Sequence, residues 1–85
     1  MKSFVYIIKD QSGIHARPAG LLAKKAKEFD SVITVEKDEK TVNATKLMAL
    51  MGLGVKCSDT VKITADGTDE EEAIKAMEDF FASNL

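Results

Sequence analysis

Gly13-Ile14-His15-Ala16-Arg17-Pro18-Ala19, continued through Phe29, is the stretch from which the rest of the chain can be read. Proline has no amide hydrogen, and inside a helix its ring collides with the carbonyl four residues back. Ile14 and Pro18 therefore cannot share a helix. Pro18 belongs to a first turn, where the missing donor does no harm. The helix starts at about His15 or Ala16. From there Ala19, Leu22, Ala23, Ala26 and Phe29 recur at helical spacing, with Lys24, Lys25, Lys27 and Glu28 outside the stripe. A helix over 16–29 thus opens on a histidine.

Working outward, residues 3–8 are aromatic and β-branched and predict a strand, which Ser12-Gly13 breaks. Residues 31–37 predict a second strand. Asp38-Glu39 is a turn, though it lacks the Asn-Gly or Asp-Gly signature, and 40–43 is a short return strand. Met, Leu and Ala over Leu47–Leu53 favour a short helix, with Thr45 as its cap and Gly52 or Gly54 as its stop. Val61, Ile63 and Ala65 alternate with Lys62 and Thr64 as in a half-buried strand. After the turn Asp66-Gly67, Thr68 with Glu71, or Asp69 with Glu72, makes a capping box. It precedes a helix carrying Ala73, Ile74, Met77, Phe80 and Phe81 on one face. The order is β-α-β-β-α-β-α. Alternation in the strands implies one buried sheet face, which three helices cover: an α+β, open-faced β-sandwich.

Composition narrows the function. Eighty-five residues allow a single domain, 1–85. Twelve basic residues against 14 acidic ones give a net charge of −2, which weighs against nucleic-acid binding. One His and one Cys cannot make a structural zinc site, so no metal is expected, and a lone Cys57 excludes an intrachain disulfide. The apolar run at Phe4–Ile8 is too short for a signal peptide, and Leu47–Val55 is too short to span a bilayer. The expectation is a cytoplasmic protein with no membrane insertion.

The chemistry converges on His15. A helix N-terminus offers unpaired amides and about half a positive charge, a ready anion site. Arg17 adds a fixed charge and a forked donor suited to phosphate oxygens. The positive field favours a neutral imidazole, which keeps the lone pair a nucleophile needs. A phosphoryl group on that ring would meet the amides and Arg17 directly. Asp10 and His15 do not read as a dyad, and Ser12 reads as the start of the turn or as a hydrogen-bonding neighbour of the ring.

In Gly13–Ala19, and again in Val42-Asn43 followed by Met48-Ala49-Leu50-Met51-Gly52-Leu53-Gly54, the sequence resembles the HPr family. These are the histidine-containing phosphocarriers of the bacterial phosphoenolpyruvate-dependent sugar phosphotransferase system. The resemblance runs over essentially the whole chain. It implies a four-stranded antiparallel sheet with three helices on one face. It also implies a carrier rather than an enzyme, with no cofactor. Enzyme I would phosphorylate Nδ1 of His15, and EIIA domains of sugar permeases would receive the group. Ala16, Arg17 and Pro18 would hold it at the helix N-terminus. Leu47, Met48 and Met51 would contact partners, since so short a helix cannot bury all its apolar residues. Lys24 and Lys27, taken as one turn beyond the anion site, would meet an acidic partner. A monomer is expected.

The sequence departs from many members of the family at Lys46, where they carry a regulatory serine. Lysine cannot accept that phosphate, so seryl regulation is expected to be absent. Thr45 is read as a helix cap rather than a surrogate acceptor. The alternative reading is a regulatory binding module of the same fold in a non-sugar branch, for example a nitrogen-related one. Retention of both His15 and Arg17 favours the carrier. A free-standing enzyme would want a second catalytic group or a P-loop, and neither is present.

Overall fold

A computed structural model describes residues 1–85. Seven elements follow the expected order: β1 (Lys2–Ile7), α1 (Ala16–Ala26), β2 (Val32–Lys37), β3 (Lys40–Asn43), α2 (Leu47–Gly52), β4 (Thr60–Asp66) and α3 (Glu70–Asn84). The strands form one antiparallel sheet in the order β1-β4-β2-β3. β4 enters last yet lies in the middle, because its alternating Val61, Ile63 and Ala65 give it a fully buried face. Register puts Phe4, Ile63, Val35 and Val42 in one row across the sheet. The helices cover that face. Phe81 of α3 stands edge-on to Phe4 and Tyr6, with centroids 6.0 and 5.5 Å away. The other face is open to solvent, with Val5, Ile7 and Val32 exposed on it.

α1 buries Ala19, Leu22, Ala23 and Ala26 of the stripe read from sequence, and Pro18 beside them. It ends at Ala26 rather than Phe29. Lys27 closes it, and Phe29 packs from the following turn, only partly buried. The β2–β3 turn holds both Asp38 (φ 50°) and Glu39 (φ 70°) in the left-handed region, the geometry that an Asn-Gly pair would adopt more easily.

Two expected caps are differently employed. Lys46, not Thr45, is the N-cap of α2, and it makes no side-chain cap bond. The Thr45 amide and hydroxyl both donate to Asn43 Oδ1, at 2.9 and 2.7 Å, so the hydroxyl faces the strand end and not the helix. At α3, Asp69 is the N-cap but bonds no amide of its own helix. Its carboxylate accepts from the amides of Asp30 and Ser31 and from the Ser31 hydroxyl, at 2.9, 2.8 and 2.5 Å. These bonds, the Ser31 hydroxyl's foremost, hold Asp69 below the usual carboxylate range. The intended box partner of Asp69, Glu72, is not used. Glu70 instead accepts from the Gly67 amide and from the Met1 amino group, at 3.2 and 2.7 Å.

No helix is long and apolar enough to cross a membrane.

Candidate functional site

Gly13 sets the site's approach. It sits at φ +65°, and a β-carbon there would collide with the carbonyl of Val55 and lie 2.7 Å from Lys56 Cα. Only glycine lets the chain pass this close and still turn. Ile14, buried, then anchors the segment, and its amide donates to the Val55 carbonyl at 3.1 Å. His15 follows in extended backbone (φ −99°, ψ −174°) as the N-cap of α1, as the proline argument requires.

The His15 side chain makes no cap bond and is 44% exposed. The first helical bond runs from the Ala19 amide to the His15 carbonyl at 2.9 Å. Pro18 has no amide hydrogen, so two first-turn donors remain, Ala16 and Arg17. Neither donates to any protein acceptor. Two free amides, the Arg17 side chain and an imidazole thus share one exposed helix end. That set of groups suits an anion placed beside the ring.

A cleft of about 320 Å³ opens there, lined by Asp10, His15, Arg17, Pro18, Leu21, Ser83 and Asn84. Four of these the sequence reading missed. Asp10 lies with Oδ1 4.0 Å from His15 Nε2, so the two groups are neighbours after all. Its signal was present: Asp followed two residues on by Ser12 is an Asx turn, and the Ser12 amide donates to Asp10 Oδ1 at 2.8 Å. Ser12 therefore belongs to the turn. Leu21, one turn after Arg17 and off the buried stripe, was also legible as a site neighbour. Ser83 and Asn84 gave no local signal, because only the docking of α3 brings them here.

The remaining candidates lie further along the helices. Leu47, Met48 and Met51 are exposed on α2, Met48 at 77%, while Leu50 and Leu53 face the core. α1 packs against α2. Lys24 and Lys27 are exposed, but not one turn from the anion site. Lys24 is seven residues beyond Arg17, about two turns, and Lys27 closes the far end of α1. Lys46 is exposed at the start of α2. No group of three His, Cys, Asp or Glu side chains is disposed to hold a metal ion.

Comparison with known proteins agrees over nearly the full chain. A family model described as "PTS HPr component phosphorylation site" matches residues 2–83. Phosphocarrier protein HPr of Mycoplasma capricolum is 43% identical over 77 residues, 91% of this chain and 86% of that protein. A crystal structure of HPr-C-His from Thermoanaerobacter tengcongensis matches with a TM-score of 0.93 at 51% identity, covering 98% of this chain and 93% of that one. An HPr dimer from the same organism matches with a TM-score of 0.77 at 51% identity, covering 98% and 95%.

Proposed function

The chain belongs to the HPr family of phosphotransferase-system phosphocarriers, and on that premise we propose that it accepts a phosphoryl group on Nδ1 of His15 from enzyme I and passes it to EIIA domains of sugar permeases. The observation that carries this reading is the set of groups at the N-terminus of α1: an exposed imidazole at the N-cap, two amides with no protein acceptor, and Arg17. The Nδ1 lone pair attacks phosphorus. The bond from phosphorus to the donor's nitrogen breaks, and its electron pair stays on the donor ring. The Ala16 and Arg17 amides and the Arg17 guanidinium then face the phosphoryl oxygens, with Pro18 fixing the turn that presents them. Transfer to EIIA repeats the step in the other direction. The protein is a stoichiometric carrier, a single domain over 1–85, cytoplasmic and monomeric in this role.

The exposed Leu47, Met48 and Met51, with Lys24 and Lys27 along α1, form the surface that both partners cover. Methionine suits a surface that must fit more than one partner. Regulation at the start of α2 is absent: Lys46 has no hydroxyl, and the Thr45 hydroxyl is held by Asn43. Incubation with enzyme I, Mg²⁺ and phosphoenolpyruvate, followed by mass spectrometry, tests the carrier. One added phosphoryl on the intact chain supports it, and an unmodified mass with a competent enzyme I contradicts it. The same readout after incubation with ATP and an HPr kinase tests the regulation. Phosphate at Thr45 would overturn that part.

A further inference from the structure

From the placement of Asp10 against His15 we infer that Asp10 is a positioning residue, which keeps the ring proton on Nε2 and so leaves the lone pair on Nδ1. This deepens the carrier reading and rests on it.

Asp10 Oδ1 lies 4.0 Å from Nε2. That is longer than a hydrogen bond, and such contacts often tighten only when the reaction partner arrives. The carboxylate cannot drift freely. Its Oδ1 accepts from the Ser12 amide at 2.8 Å, and the Asp10 carbonyl accepts from the Gly13 amide at 3.0 Å. The Asp10 amide in turn donates to the main-chain oxygen of Leu85 at 2.9 Å. Both ends of the residue are therefore tied, one by the turn and one by the chain's last residue. The charged side chains sharing the cleft with the ring are Asp10 and Arg17; Ser83 and Asn84 are neutral.

A neutral imidazole carries its hydrogen on one nitrogen or the other, and its partner decides which. A carboxylate facing Nε2 favours hydrogen there. Nδ1 attack on phosphorus then gives a ring with phosphorus on Nδ1, hydrogen on Nε2 and a positive charge. Asp10 stabilises that cation. When an acceptor attacks phosphorus, the P–N bond breaks and its electron pair returns to Nδ1. The ring regains neutrality with the hydrogen still on Nε2. No proton needs to be lost or fetched in either direction.

Nitrogen-15 NMR of the imidazole, at a pH where the ring is neutral, reads the tautomer directly. Free histidine already prefers the Nε2–H form, so wild type should exceed that preference, and Asp10→Ala should fall back to the free-histidine ratio. Asp10→Asn keeps an oxygen for the Ser12 amide but removes the charge. It should slow phosphoryl transfer about five- to tenfold, the size expected of one unit charge near 4 Å in a largely aqueous setting. Asp10→Glu should recover part of the rate. An unchanged tautomer ratio in Asp10→Ala, or a wild-type rate in Asp10→Asn, would overturn the inference. If wild type takes up no phosphoryl at all, the carrier reading fails while the tautomer ratios still judge Asp10.

Discussion

At Gly13 one missing side chain decides whether the site exists. An alanine there would hold a left-handed backbone conformation and press on the Val55 carbonyl. Gly13→Ala should cost at least about 2 kcal/mol, combining the conformational penalty with overpacking. Chemical denaturation would check this. Arg17→Ala should leave the fold intact, because Arg17 is exposed, yet slow phosphoryl transfer several-fold, read from single-turnover rates. Much of the residue scale was legible beforehand, and Pro18 is the reason: its missing donor and fixed φ place His15 at the helix start with no further information. Asp10 was not recognised as a partner of His15, since their contact depends on a turn whose side-chain bond is too local for hydrophobic patterning to register.

Among the elements, the β2–β3 hairpin and α2 carry the sharpest expectations. Asp38 and Glu39 both occupy the left-handed region without glycine. The double change Asp38→Asn, Glu39→Gly should stabilise the protein by about 1 kcal/mol, visible as a raised melting temperature. Met48→Glu should leave stability within about 0.5 kcal/mol of wild type, because the side chain is mostly in solvent. It should weaken binding to enzyme I in a titration; unfolding instead would mean that Met48 supports the core. Element identity was readable from period and composition. Caps were not: Thr45 and Asp69 are both good capping types, but each found a better acceptor or donor outside its helix. For Asp69 the competitor is 38 residues away, beyond any local rule, whereas Thr45 is drawn to Asn43 two positions before it, a local bond that competes with the cap.

Over the whole molecule, three carboxylates tie distant segments together. Asp69 holds the segment before β2, and Glu70 holds the Met1 amino group. Asp59 pairs with Lys37 at 2.9 Å. All three lie below the usual carboxylate range, Asp59 chiefly through Lys37 and Glu70 chiefly through Met1. A carboxylate lowered on folding contributes its full stability above its unfolded pKa, about 4, and loses it as pH falls through the folded value. Asp69→Asn should therefore lower the melting temperature at pH 7, and the gap from wild type should close as the pH falls below about 4. The Met1 amino group is raised, chiefly by Glu70, so its contribution is lost on the alkaline side. None of these long-range ties was visible in sequence, whereas the sheet, its buried face and the helix bearing His15 were.

The central claim is that His15 carries the phosphoryl group. Phosphorus NMR of the protein after mixing with enzyme I, Mg²⁺ and phosphoenolpyruvate tests it most directly. The account predicts a single acid-labile phosphohistidine resonance from wild type and none from His15→Ala. A resonance that survives in His15→Ala, or its absence in wild type beside an active enzyme I, would contradict it.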